Sequence, residues 1–233
     1  MTIAYRSSTT AGGGTGTSVT LTKPAGTVDN DILIAVLYRE IASGWTPPAG
    51  WTQLCDLTSA DGGSSEYLTV YWKRAASEGA SYVWSVASTW VIGAMTAFSG
   101  CTLSGSPVDA GATNYCSGDV AAHTPIGASI TTTVANAMRF VAVINVSGND
   151  VTVGTSGMTQ GPQLNGTELW YSIQAAAGAS GTMTFGAVTD YSHWVTYHAD
   201  LIPDTSPPAT QALASVFFGD FPKMILQNNP GGY

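Results

Sequence analysis

Charged side chains are scarce in this sequence. Of its 233 residues, 9% are Asp, Glu, Lys or Arg, whereas roughly a quarter of an average soluble domain is charged. Solvated helix faces usually carry Glu, Lys and Arg, so the scarcity argues against a helical protein. Only seven residues are Lys or Arg, and the net charge is −8. Because nucleic acids and anionic membranes are bound through basic patches, we expect neither of them as a partner.

Cysteine and long apolar runs are also scarce. The three cysteines, Cys55, Cys101 and Cys116, show no Cys-x-x-Cys spacing, so we expect no metal site. No stretch reaches the roughly 20 apolar residues of a membrane-spanning helix. Residues 1–10 lack the apolar core of a signal peptide, whereas the Gly-, Ser- and Thr-rich composition is typical of proteins that work outside cells. Either assembly of a virus particle in the cytoplasm or a leader missing from this sequence would reconcile the two observations.

Catalytic and cofactor motifs are missing as well. The sequence contains no nucleophile elbow, HExxH or P-loop, so we expect no cofactor. His193 and His198 lie five residues apart, on opposite faces of one predicted strand, and cannot bind the same metal. His198 and Asp200 share a face, and we interpret them as an edge or surface pair in a sheet rather than a catalytic dyad.

Carboxylates are the remaining candidates for catalysis. A glycosidase needs two carboxyl groups about 5–9.5 Å apart across a groove, and nothing in the sequence pairs the candidates. Those are Asp56, Asp61, Glu66, Glu168 and Asp190, chosen by expected exposure alone. We therefore expect no catalytic residues and no enzymatic activity.

What the sequence does contain is a series of short alternating or apolar segments. They span residues 17–23, 32–38, 51–57, 68–72, 82–86, 90–98 and 193–201. Turns rich in Gly and Pro separate them, at a spacing typical of a β-sandwich or barrel. The run 32–38 is apolar throughout, as expected of a strand covered on both faces. The Gly-rich residues 12–16 are interpreted as a flexible loop.

The second half of the sequence repeats the first. Residues 66–88 match residues 167–189 without a gap, through two alternating strands and their connector. Leu68 then corresponds to Leu169. Because an ungapped match of this length is uncommon by chance, we interpret it as a diverged duplication.

The repeat extends upstream and suggests the domain organisation. Residues 32–38 match residues 139–145, which places the half-repeats at about 17–100 and 128–202. One large sandwich whose halves share a core and two small sandwiches in tandem both fit this pattern. We favour the first, an all-β, jelly-roll-like sandwich over residues 1–203.

Residues 204–233 differ from the rest of the chain. The Pro-rich stretch at 203–208 is interpreted as an extended linker, and the segment after it is too apolar for a free tail. This C-terminal arm packs either on its own sandwich or on a neighbouring subunit, and the sequence leaves both alternatives open. Its expected partner-binding residues are Phe217, Phe218, Phe221, Met224, Ile225 and Leu226.

Two tryptophans are candidates for a surface site. Trp170 is opposite in phase to Leu169 and Tyr171 along its predicted strand, so we expect its side chain to face outward. Trp194 is a second candidate. An exposed Trp can stack on a sugar ring, so these two residues are the candidate glycan-binding residues.

Several turn and core motifs resemble a known family. They are PAGTVDNDILIA at residues 24–35, PPAGWT at 47–52, LTVYWK at 68–73, YVW at 82–84, FSG at 98–100 and PVD at 107–109. These motifs are similar to those of the jelly-roll-like β-sandwich modules of tailed-phage structural proteins and some bacterial surface proteins. The likeness covers residues 17–109, and the duplication extends it toward Pro203. It implies a structural role in the virion, as a head decoration, tail or fibre component exposed on the particle surface.

Three hypotheses about function follow from these expectations. In the leading hypothesis the chain is a capsid decoration, or cement, protein that forms homo-oligomers. It would stabilise the shell by burying apolar arm residues against the major capsid protein or tail proteins. In the alternative hypothesis it is a tail-tip or fibre module that binds host-surface glycans. A glycan-cleaving enzyme is the third hypothesis, for which the sequence shows no paired carboxylates.

Overall fold

The computed structural model describes residues 2–59, 66–116, 124–145, 149–187 and 193–206. Within these ranges the protein is built from β-strands and contains no helix. The first half of the chain forms β1 (Ala4–Thr22), β2 (Ile32–Arg39), β3 (Thr52–Thr58), β4 (Tyr67–Arg74) and β5 (Ser81–Ser99). The second half forms β6 (Val108–Cys116), β7 (Ile126–Gly127), β8 (Thr131–Thr132), β9 (Ala137–Asn145), β10 (Thr159–Leu164), β11 (Thr167–Gln174), β12 (Gly178–Ala179), β13 (Met183–Thr184) and β14 (Trp194–Leu201).

Each half of the chain supplies one five-stranded antiparallel sheet. The first sheet has the strand order β1-β5-β2-β4-β3, and the second has the order β6-β14-β9-β11-β10. The chain therefore completes the first sheet before it begins the second. The prediction of an all-β sandwich is confirmed.

The two sheets pack face to face around one central core. Ile34 and Val36 of β2 belong to the same buried cluster as Phe140 and Ala142 of β9, and Leu169 of β11 joins them. Because side chains alternate along a strand, each sheet turns every second residue into this core. The arrangement agrees with the preferred prediction of a single shared core.

Each sheet also has a covered outer face. After a register shift at Gly16/Ser18, the last residues of β1 pair with the first residues of β5. Leu21 of β1 and Trp84 of β5 belong to an outer cluster with Leu33 of β2. In the second half, the short pairs β7–β13 and β8–β12 lie in the equivalent position. Strand β2 is consequently buried on both faces, as its apolar run predicts.

The two sheets have equivalent topologies. Strands β1, β5, β2, β4 and β3 of the first sheet correspond in order to β6, β14, β9, β11 and β10 of the second. Such an equivalence is what a duplication would produce. The origin of the two halves by duplication stays a prediction.

Strand pairing corrects one part of the repeat match. Trp72 and Ile173 correspond in sequence, and their partners on the neighbouring strands are Ile34 and Met138. The sequence match instead paired Ile34 with Val141, which lies in the outer layer, whereas Ile34 and Met138 lie in the central core. Both strands are apolar on both faces, so their sequences offer no alternation that would fix the register.

The Gly-rich residues 12–16 lie inside β1, so their prediction as a flexible loop is wrong. They pair with β5 through register shifts next to Gly12 and Gly16. Gly12 has a φ of 96°, and a Cβ atom there would lie 2.4 Å from the carbonyl oxygen of Val91. Glycine is needed here because the two backbones approach closely at a bulge.

The end of the sandwich is tied to the first sheet. Pro203 forms a β-bridge with Cys101, and the Asp204 N–H donates to the carbonyl of Gly100 at 2.8 Å. Most of the predicted linker and arm, from residue 207 onward, lies outside the described residues. So do all six predicted partner-binding residues, Phe217, Phe218, Phe221, Met224, Ile225 and Leu226.

Candidate ligand-binding groove

The outer face of the second sheet holds a group of buried polar side chains. The corresponding face of the first sheet is mostly apolar and aromatic, and its buried polar residues Arg39 and Thr69 lie together beside Asp56. On the second sheet, Glu168, Thr196, His198 and Asp200 lie on that face and are each 0% exposed. Burying such groups costs free energy unless they are hydrogen-bonded, so their partners show what this face does.

The polar residues of β14 bind the segment around Ile126 and Ala128, which covers the outer face of the second sheet. Thr196 donates from Oγ1 to the carbonyl of Ile126 at 2.8 Å, and His198 Nδ1 lies 2.6 Å from the carbonyl of Ala128. Burial lowers the pKa of His198 to about 4, so the ring is neutral and Nδ1 carries the proton. His198 and Asp200 share a face as predicted, but both are interior residues and do not form a surface pair.

Asp200 lies at the end of this row. One carboxylate oxygen accepts the N–H of Ala110 at 2.8 Å, which joins β14 to β6. Burial raises the pKa of Asp200 to about 6, and the nearby charge of Asp109 adds to the effect. These contacts fasten strands to one another and make no opening to solvent.

Glu168 of β11 is the centre of a different arrangement. Its Oε1 accepts the N–H of Val151 at 2.7 Å, and its Oε2 accepts the indole N–H of Trp170 at 2.7 Å. Burial raises the pKa of Glu168 to about 7, the charge of Asp150 raises it further, and the bonds from Val151, Trp170 and Gln160 oppose this rise. One carboxyl group therefore connects three parts of the chain: the loop before β10, β10 itself and β11.

These three parts line an open groove with a volume of about 460 Å³. Residues 150–153 form one wall, and Gln160 and Gln163 of β10 lie on the other side, while Met158 and Trp170 contribute apolar surface. Gln160 Nε2 donates to Gln163 Oε1 at 2.8 Å, which fixes the two amides relative to each other. The groove thus combines amide, carboxylate and apolar surface in one concave site.

The groove wall at residues 150–155 is held close to residues 184–186, which also cover the outer face of the second sheet. The Gly186 N–H donates to the carbonyl of Thr152, and the Thr155 N–H donates to the carbonyl of Thr184, both at 2.9 Å. Gly154 has a φ of 52°, and a Cβ atom there would lie 2.4 Å from the carbonyl carbon of Phe185. The wall can lie this close only because residue 154 is glycine.

The structure corrects the expectation that Trp170 and Trp194 face outward into solvent. They are 3% and 4% exposed. Trp170 is on the outer face of its sheet, as its phase predicts, but the loop before β10 and Phe185 cover its ring, with 5.4 Å between the two ring centroids. Trp170 lines the groove with the small part of its side chain that stays exposed, and Trp194 does not line it. Trp90, at 38% exposed, is the most exposed Trp of the described residues.

The five candidate carboxylates separate into different environments. Asp56 forms an ion pair with Arg39, and Glu66 is a buried acceptor for the Ser59 hydroxyl. Asp61 and Asp190 lie outside the described residues. Of the five, Glu168 is the one next to the groove. The sequence did not predict a site at Glu168, and it did not predict one at Asp150, Gln160 or Gln163 either. The only signal was its proximity in sequence to Trp170.

Comparisons with known proteins add no further information on this groove. No family model, curated protein or solved structure matches the chain. Within the described ranges, no three His, Cys, Asp or Glu side chains are grouped so that they could hold a metal ion. The same ranges include no helix long and apolar enough to span a membrane.

Proposed function

We propose that the protein is a phage structural protein that works by binding, as a tail-tip or fibre module whose groove binds host-surface glycans. The observation that carries this proposal is the groove between residues 150–153 and β10. Gln160 donates to Gln163 and to Glu168, which leaves its Oε1 to accept from sugar hydroxyls, and Gln163 Nε2 can donate to them. Val153, which lines the groove and is 44% exposed, offers apolar surface to the C–H face of a ring. Small polar ligands are typically bound in sites of this composition.

The walls of the groove are held by hydrogen bonds and strand pairing, and such an ordered site favours ligand binding. Glu168 fixes Val151 and Trp170 through two 2.7 Å hydrogen bonds, and β11 pairs along its whole length with β9. A site whose walls are already ordered loses less conformational entropy when a ligand binds. The phage assignment rests on the resemblance of the turn and core motifs.

The geometry of Glu168 favours a binding role over a catalytic one. Its side chain is 0% exposed, and both of its oxygens already accept hydrogen bonds from the protein. A general acid must come within hydrogen-bond reach of the substrate atom that it protonates. Glu168 is therefore assigned as a positioning residue.

Removing the two groove amides tests the proposal. The double variant Gln160→Ala, Gln163→Ala is expected to bind glycan at least about tenfold more weakly, because each amide lost removes net hydrogen-bond energy of about 1 kcal/mol. An array of host-surface oligosaccharides identifies a ligand for the full chain, and titration calorimetry then measures the change in Kd. Gln53→Ala, on β3 of the first sheet, is the matched control. Equal binding by the double variant and the full chain would contradict the proposal.

Capsid decoration, the leading hypothesis from the sequence, is the second proposal. One observation favours it: the C-terminal arm starts from a fixed point. Asp204 and Pro203 are tied to Gly100 and Cys101, so the chain leaves the sandwich at a defined place. From Ser206, a chain extended at roughly 3 Å per residue reaches Phe217 at about 35 Å. That distance is enough to contact a neighbouring subunit.

A chain shortened to end at Pro208 tests the arm. We expect the full chain to self-associate and the shortened chain to be monomeric, because the apolar anchors are then missing. Light scattering gives the mass, and the melting temperature is expected to be the same for both chains. Two monomeric chains would argue against an arm that joins copies of this protein.

A further inference from the structure

The groove carries negative charge without a fixed counter-ion. Asp150 lies on its wall and is exposed, and the charge of Asp150 raises the pKa of the buried Glu168 beneath it. Among the described residues that line the groove, none is Lys or Arg. A ligand entering the groove therefore meets a carboxylate and no basic side chain.

The basic residues of the chain are engaged elsewhere. Of the seven in the sequence, Lys223 lies outside the described residues, and five of the other six belong to the first half. Arg139 is the sixth, and its guanidinium donates to Ser172 Oγ at 2.8 Å and to the carbonyl of Ser180 at 3.4 Å. It does not line the groove. The described part of the second half thus has no basic side chain placed to neutralise Asp150.

The carboxylate of Asp150 is available to a ligand. Among the described residues, its carboxylate accepts one long hydrogen bond, from the Gly166 N–H to Oδ1 at 3.3 Å. The residue is exposed, and its position at the start of the loop wall turns it toward the space between the wall and β10. Ion pairs and charge repulsion at such a position change partner choice more than they change the fold.

We propose that Asp150 is the specificity-determining residue of the groove, which accepts neutral or amino-bearing saccharides and rejects saccharides that carry carboxylate, sulfate or phosphate. This inference rests on the proposed glycan-binding function. A sugar ammonium group next to Asp150 gains a charge-assisted hydrogen bond. A sugar carboxylate in the same place loses water and meets a like charge.

The test compares oligosaccharides of equal length that differ in charge. N-acetylglucosamine oligomers are the neutral probe, glucosamine oligomers the cationic probe and galacturonate oligomers the anionic probe. Titrations with the full chain at neutral pH and low salt are expected to show the anionic probe binding at least about tenfold more weakly than the neutral one. Added salt is expected to reduce this discrimination, since exposed charges are screened.

Two variants separate the role of Asp150 from that of overall charge. Asp150→Asn keeps an acceptor for the Gly166 N–H, and it is expected to bind the anionic probe at least about fivefold more tightly and to lose the preference for the cationic probe. Asp29→Asn makes the same change in net charge in the first half, where Asp29 also accepts one backbone N–H, from Ser77. It is expected to bind all three probes as the unchanged chain does.

The outcomes distinguish this inference from the proposed function. Equal binding of the neutral and anionic probes, or no effect of Asp150→Asn, would overturn charge selection while leaving glycan binding intact. Binding of none of the three probes, together with a negative glycan array, would overturn the proposed function and this inference with it.

Discussion

Replacing Asp56 with Ala is expected to lower the free energy of unfolding by about 3 kcal/mol, because it strands a buried cation. The Arg39 side chain is 1% exposed, and its two terminal nitrogens donate to the two Asp56 oxygens at 2.8 and 2.9 Å. Arg39 also donates to Thr69 Oγ1 at 2.6 Å and stacks over the ring of Tyr67 at 4.3 Å. Among the described residues, Asp56 is the carboxylate that forms an ion pair with this guanidinium.

Urea unfolding of the single and double variants measures this effect. Arg39→Met combined with Asp56→Ala is expected to be more stable than Asp56→Ala alone, since the buried charge is then gone along with its partner. Asp56→Asn keeps a hydrogen-bond acceptor and is expected to fall between the unchanged chain and Asp56→Ala. A loss below about 1 kcal/mol for Asp56→Ala would mean that water reaches the guanidinium, because exposed ion pairs contribute that little.

Strands with a clear apolar pattern could be predicted from the sequence, and those without one could not. Residues 32–38 and 68–72 correspond to β2 and β4, because burial on one or both faces imposes a recognisable pattern. The first part of β1, from Ala4 to Gly16, went unrecognised. Its residues are small and polar, and it exists because it pairs with β5 at bulges where glycine is required. That requirement comes from tertiary structure and leaves no local pattern.

The groove shows the same limit for a functional site. The phase of Trp170 on β11 was predicted, because alternation alone fixes which face a residue takes. Its burial was not, because the loop that covers it lies before β10 and has no periodic pattern of its own. Asp150 and Gln160 reach the site through that loop and through an irregular strand, which shifts register between Gln160 and Gln163. Long-range contacts of this kind cannot be read from spacing.

The outer layers of the two halves differ in what their buried polar residues contact. The outer layer of the first half is filled by Trp51, Trp84 and Tyr82, whose rings contact one another. In the second half Phe185 takes the place of Trp84 in the sequence match, and the layer includes buried Glu168. In the first half the buried polar residues of this layer, Arg39 and Thr69, bond to each other and to Asp56, whereas Glu168 of the second half lies beside an open groove.

The stability of the protein is expected to fall between pH 4.5 and pH 7 because of Glu168. The pKa of Glu168 rises from 4.5 to about 7 on folding, with burial as the main cause. Below pH 4.5 the carboxyl is protonated in both states, and its burial then adds no electrostatic cost. As the pH rises toward 7, the unfolded chain releases the proton while the folded chain keeps it, so folding becomes less favourable. At about 1.4 kcal/mol per pH unit, the loss reaches about 3 kcal/mol above pH 7.

Glu168→Gln isolates this contribution, since other buried groups titrate in overlapping ranges. Asp200 has a raised pKa and adds a slope of the same sign, whereas the lowered pKa of His198 makes stability fall as the pH drops below 6.5. Both effects persist in Glu168→Gln, so the difference between the two chains reports Glu168 alone. Unfolding free energies at pH 5 and pH 8 are expected to differ by about 3 kcal/mol less in the variant.

The same experiment tests how the groove wall is held. In Glu168→Gln, an NH2 group that cannot accept replaces one of the two carboxylate oxygens, so the hydrogen bond from either Val151 or Trp170 is lost. We therefore expect the variant to bind the glycan ligand more weakly even at pH 8, where its fold is relatively favoured. Asp200→Asn, which alters a pH slope on the same face without touching the groove, is expected to bind as before. Parallel pH profiles for Glu168→Gln and the unchanged chain would mean that water reaches the carboxyl, and that Val151 and Trp170 are held by packing instead.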